Sequence, residues 1–173
     1  MSSTTPSQPI PTAATPRGGA RAEWVTIACF VLLAGALGVS GYLAYTKLFD
    51  VSMLCVGGGL FDCGTVRNSI YSEIMGVPIG LLGFLTNLVL VGVLAGQKRI
   101  PFLQEYGPLL FFGILLFATL YSIWLIYVQA QLLQAYCNWC LAHEVIVFAL
   151  FGLSIVLLRR HNLALDELEA EPA

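Results

Sequence analysis

Residues 106–142 read YGPLLFFGILLFATLYSIWLIYVQAQLLQAYCNWCLA and hold no Asp, Glu, Lys or Arg. As one helix at ~1.5 Å per residue this stretch would run about 55 Å, well past the ~30 Å hydrocarbon core of a bilayer. Its polar interruption (Gln129, Gln131 and Gln134, then Cys137 and Asn138) places a turn between two apolar helices. The stretch therefore reads as the end of one crossing and the start of another, helices 106–129 and 137–158, with a Cys-x-x-Cys opening the second.

The flanking sequence supplies two more spans. Uncharged runs over 24–46 and 74–97 predict helices over 24–46 and 77–96, and Pro78 suits a first helical position. The chain is 58% hydrophobic and only 10% charged, where a soluble domain carries about 25% charged residues, so a water-exposed globular enzyme is excluded. A net charge of −2 disfavours a nucleic-acid-binding surface. The fold class is all-α: an integral membrane four-helix bundle. Residues 1–22, rich in Ser, Thr and Pro, predict a disordered tail; 23–160 form the membrane domain, and 161–173 a short acidic tail.

Basic residues orient the bundle. Of the eight Lys and Arg, Arg17, Arg21, Lys98, Arg99, Arg159 and Arg160 fall on one side and only Lys47 and Arg67 on the other. By the positive-inside rule both termini are cytoplasmic, and the 47–77 loop and the 130–137 turn are extracytoplasmic. The first apolar run exceeds the ~7–15 residues of a signal-peptide core, so it reads as a retained span.

This orientation sorts the five cysteines. Cys29 stands alone near the cytoplasmic end of the first span, as a small apolar packing residue. Cys55, Cys63, Cys137 and Cys140 all fall on the outer, oxidising face, where they should form or exchange disulfides. Cys137-Asn138-Trp139-Cys140 opens a helix, whose free N–H groups favour a thiolate. So short a loop adds little stability when closed, so chemistry explains the pair better than stapling. Gly57-Gly58-Gly59, between Cys55 and Cys63, gives that loop freedom to move between partners, although a disulfide simply closing the loop is the alternative. A C-x7-C…C-x2-C spacing does not match a common zinc knuckle.

Electrons reaching a membrane-embedded dithiol need an acceptor in the membrane, and the sequence has no haem, dinucleotide or Fe–S motif. A lipid-soluble quinone needs only an apolar pocket beside the Cys-x-x-Cys. His143 and Glu144, one turn into the same helix, are candidates for quinone contact or proton handling, because ionisable groups inside a membrane are functional candidates by default.

Together the features resemble the vitamin K epoxide reductase family in its bacterial form: Cys55-x7-Cys63, Ser69 six positions on, Gly76-Val77-Pro78 and Gly83 in the second helix, and Cys137-x-x-Cys140 opening the fourth. The likeness covers about residues 22–158. The DsbB-type oxidases have the opposite cysteine order. The resemblance implies catalytic roles for all four outer cysteines. Cys140 would lie nearest the quinone, menaquinone or ubiquinone; Cys137 would exchange with Cys63, and Cys55 would meet the partner's dithiol. Ser69 matches a serine beside the quinone, and Glu144 stands where animal members carry a Tyr. The chain shows no fused thioredoxin-like domain, so the implied partner is a separate thioredoxin-fold (DsbA-like) protein. The implied function is quinone-dependent disulfide formation in exported proteins at a bacterial inner membrane. The alternatives are a quinone or quinone-epoxide reductase, and a non-enzymatic scaffold braced by disulfides.

Overall fold

The computed structural model describes residues 19–97 and 99–170. Most of the expected N-terminal tail and the last three residues lie outside these. Four long helices dominate: α1 (Gly19–Leu48), α3 (Ile79–Gly96), α4 (Pro101–Tyr127) and α5 (Asn138–Ala170). All four are long and apolar enough to cross a membrane. A short helix α2 (Cys63–Asn68), a 3₁₀ turn (Ile70–Ser72) and a two-stranded hairpin fill the segment between α1 and α3. In the hairpin, β1 (Glu73–Ile74) pairs antiparallel with β2 (Val77–Pro78), Ile74 opposite Val77. Met75 and Gly76 both have positive φ, the conformation that closes a two-residue hairpin with the twist of its strands.

Three boundaries differ from the sequence expectations. α1 begins at Gly19, inside the segment expected to be disordered. α4 begins at Pro101 rather than 106, because Pro sits at a helix start without losing a hydrogen bond and Glu105, at the exposed end of the bundle, interrupts nothing. α5 runs on to Ala170 rather than stopping near 158, through a segment rich in Leu, Ala and Glu with no Pro or Gly. At the other end, α4 passes into a π-helical turn (Val128–Leu133) that stops at Gln134, which adopts a left-handed conformation.

α1 packs on α3 and α5, and α4 on α3 and α5, closing a four-membered ring. Leu33, Leu90, Phe111, Leu115 and Leu150 meet at its centre with Cys29, which is fully buried as a packing residue. The outward faces carry exposed apolar side chains such as Val31, Phe117, Leu120 and Val145. Polar Ser40, Asn87, Thr119, Ser122, Gln129 and Glu144 turn inward. An apolar exterior around a partly polar interior suits lipid rather than water.

Candidate active site

The segment after α1 is held down by charge. Lys47 Nζ, at the end of α1, donates to Arg67 O at 2.9 Å and Ser72 Oγ at 3.3 Å, and pairs with Glu73 Oε1 at 3.0 Å. Arg67 pairs in turn with Asp50 and donates to the Val51 carbonyl. Asp62 caps α2 by accepting from Thr65 N at 3.0 Å and Thr65 Oγ1 at 2.6 Å, and the Thr65 hydroxyl holds its carboxyl below the usual range. Cys63 is thereby fixed as the first residue of α2, buried and bonded to Cys55 with their Cα atoms 5.8 Å apart. The Cys63 N–H donates to Cys55 Sγ at 3.2 Å.

The two residues between Cys137 and Cys140 grip this loop. Asn138 Nδ2 donates to Val56 O at 2.7 Å, and Trp139 Nε1 donates to Leu54 O at 2.8 Å. Trp139 also packs on Tyr42 of α1, ring centroids 4.9 Å apart. Past the glycines a second grip forms: Tyr136 N donates to Leu60 O at 2.8 Å, and Asp62 N to Tyr136 O at 3.1 Å. Gly57-Gly58-Gly59 forms the span between the two grips, with Gly57 and Gly59 at positive φ, where a side chain would be strained. Asn138 Oδ1 lies 3.4 Å from Cys55 Sγ and 3.9 Å from Cys63 Sγ. The loop disulfide thus sits directly against the Cys-x-x-Cys turn.

Cys137 precedes the first residue of α5 and acts as its cap. Its carbonyl accepts from Leu141 N at 2.9 Å, its Sγ accepts from Cys140 N at 3.3 Å, and the Cys140 Sγ lies 2.6 Å from it, closer to a disulfide than to two thiols in contact. Its own N–H is satisfied by Gln129 Oε1 at 2.9 Å, a buried side chain that the π turn brings inward. The Cys140 side chain beside it pushes the Cys137 pKa down; burial opposes this, and the N–H groups of Cys140 and Trp139 add to it.

Below the cysteines a cavity of about 280 Å³ opens between the helices, near the lower end of small-molecule sites, about 300–1,000 Å³. Its walls are mostly apolar, and Cys137, Cys140, Ser69, His143 and Glu144 all line it, so the sequence-predicted site residues other than the loop pair converge on one space. The Ser69 hydroxyl donates to Val66 O at 2.8 Å, leaving its lone pairs free to accept. Glu144 is 3% exposed and its Oε2 has no hydrogen-bond partner among the described residues.

Over residues 27–155 the sequence matches the vitamin K epoxide reductase family. The chain belongs to this family. Among curated relatives it is similar to the thiol-disulfide oxidoreductase LTO1 of Arabidopsis thaliana, 32% identical over 122 residues. The alignment covers 67% of this chain and 32% of the relative, so the chain spans about a third of that protein's length. For a member of the vitamin K epoxide reductase family, sequence reasoning marked the four cysteines but missed the side chains that hold them. In the sequence Gln129 and Asn138 register only as parts of a polar break, and Trp139 only as a residue between two cysteines. Asn87, which also lines the cavity, carried a legible signal: with Thr86 it is the polar interruption of an otherwise apolar span.

Proposed function

We propose that the chain is a quinone-linked thiol-disulfide oxidoreductase of a bacterial inner membrane, with its redox cysteines on the extracytoplasmic face. The observation that carries the reading is the seating of the Cys55–Cys63 disulfide against Asn138, the residue that follows Cys137, while Cys137 and Cys140 themselves line a cavity among the helices. A thioredoxin-fold dithiol reduces Cys55–Cys63 and leaves as a disulfide. The Cys63 thiolate then attacks Cys137 in an oxidised Cys137–Cys140 pair, displacing Cys140 as thiolate. Cys55 next attacks Cys63 and displaces Cys137, restoring the loop disulfide and leaving the Cys137, Cys140 dithiol. A low thiol pKa makes a better leaving group, which is what Cys137 must be in that last exchange.

The cavity fits a quinone headgroup: its lining is mostly apolar, and the buried Glu144 Oε2 lacks a partner among the described residues. Ser69, His143 and Glu144 would hold the ring, with Cys140 beside it. A quinone bound there supplies a sink for two electrons and two protons. In this reading Glu144, four residues after Cys140 on α5 and lining the same cavity, carries a proton from the thiols.

The test is turnover with a reduced thioredoxin-fold protein and a short-chain quinone, paired with alkylation of free thiols in membranes with and without quinone. Cys140→Ala is expected to abolish quinone reduction, and Cys55→Ala to block partner oxidation. Cys29→Ala, packed in the core and absent from the cavity lining, should leave turnover within about twofold. Unchanged quinone reduction in Cys140→Ala would sink the reading. Disulfides that stay fully oxidised when quinone is withdrawn would instead support a structural brace.

A further inference from the structure

Three of the four membrane helices are joined by one buried polar chain beside the cavity. Ser40 on α1 and Asn87 on α3 are 1% and 3% exposed. Asn87 Nδ2 lies 3.4 Å from Ser40 Oγ and 3.1 Å from His143 Nε2 on α5. All three residues line the cavity. Polar groups placed at this depth among apolar helices call for a reason beyond packing.

Hydrogen-bond accounting fixes the direction of the chain. The Ser40 hydroxyl carries one proton, and its short bond, 2.7 Å to the Ala36 carbonyl, uses it. Toward Asn87, Ser40 can therefore only accept, so Asn87 presents its NH2 group there. The same NH2 faces His143 Nε2, which must then supply a lone pair. A neutral imidazole that accepts at Nε2 carries its proton on Nδ1.

We propose that Asn87 is a positioning residue that holds His143 as the neutral Nδ1–H tautomer, so that His143 shapes the quinone cavity without carrying protons. This rests on the quinone-site reading above and divides its two ionisable candidates: with the Nε2 lone pair engaged by Asn87, His143 cannot take up a proton there without losing that bond, and proton transfer falls to Glu144. α3 contributes no titratable group to the cavity; Lys47 from α1, Arg67 and Tyr71 from the outer segment, Tyr121 from α4, Cys137 at the start of α5, and Cys140 and Glu144 on α5 do.

The test is nitrogen NMR of the full chain with ¹⁵N-labelled histidine in lipid nanodiscs. His161→Gln removes the other of the two histidines. The expected spectrum is a neutral imidazole protonated at Nδ1, with and without a short-chain quinone. A proton on Nε2, or an imidazolium at neutral pH, would overturn the proposal. Asn87→Asp presents only acceptors, so it should move the proton to Nε2 or charge the ring. In turnover it should raise the quinone KM several-fold with a smaller effect on kcat, and an unchanged tautomer in this variant would also overturn the idea. The NMR result needs no turnover, so a failure of the quinone reading, seen as wild-type protein that never reduces quinone, is read separately.

Discussion

Cys137 shows how an uncharged neighbour can do what a charged one does elsewhere. As the residue capping α5 it accepts the Cys140 backbone N–H at sulfur, at 3.3 Å, and has the Cys140 Sγ 2.6 Å away. These favour its thiolate, and burial does not cancel them, so its pKa lies below the ordinary thiol value. The sign follows: Cys137 stays a reactive thiolate at pH values where an ordinary thiol is protonated, and loses reactivity as pH falls through the depressed pKa. With the dithiol trapped and Cys29 replaced by Ala, the alkylation rate of Cys137 should therefore reach half its maximum below pH ~8.5, the ordinary midpoint. Cys140→Ala removes the largest cause and should move the midpoint upward. Cys140→Ser keeps a hydroxyl donor and should move it less. A midpoint that does not move in Cys140→Ala would mean that the Cys140 side chain does not set the reactivity.

At the scale of elements, the loop between α1 and α3 is a strap fastened at both sides of its glycines. One fastening is Asn138 and Trp139 on Val56 and Leu54; the other is Tyr136 on Leu60 and Asp62. The strap brings one disulfide to the other pair, so loosening one end should slow exchange between pairs while leaving each chemically intact. Asn138→Ala, which loses a side-chain bond typically worth about 1 kcal/mol, should slow electron transfer from Cys55–Cys63 to Cys137–Cys140 several-fold in stopped-flow thiol trapping. Quinone reduction by a pre-reduced Cys137–Cys140 pair should be nearly unchanged, and equal losses in both steps would refute the strap. Lys47→Met should free the 63–74 segment, losing about 1–2 kcal/mol of charge-assisted bonding, seen as faster proteolysis there without loss of the helices. These elements also mark where the sequence was legible. Spans announce themselves because lipid forbids charge over a helix length, and Cys-x-x-Cys announces itself by spacing. The strap does not, since its fastenings are backbone carbonyls reached by Asn and Trp across more than eighty residues. The early start of α4 was hidden because Glu105 breaks a charge count without breaking a helix.

For the whole molecule, both cysteine pairs lie at the end of the bundle opposite the free ends of α1 and α5, and the α3–α4 connection lies at the other. Disulfide formation requires that the cysteine end face an oxidising compartment, and the basic residues at the opposite end, Arg99 and Arg159 among them, favour retention in the cytoplasm. The arrangement gives two convenient reporters. Met75, at the hairpin tip beside the cysteine end, is 99% exposed, and Ile100, in the α3–α4 connection, is 46% exposed. Each can be replaced by Cys and labelled with a membrane-impermeant maleimide in intact bacterial cells, with the wild-type chain giving the background from its own thiols. Met75→Cys should label without permeabilisation, and Ile100→Cys only after the membrane is opened. The reverse pattern would put Cys55, Cys63, Cys137 and Cys140 in a reducing cytoplasm, where reduced glutathione and thioredoxin would keep them as thiols and the chain could not drive disulfide formation in exported proteins.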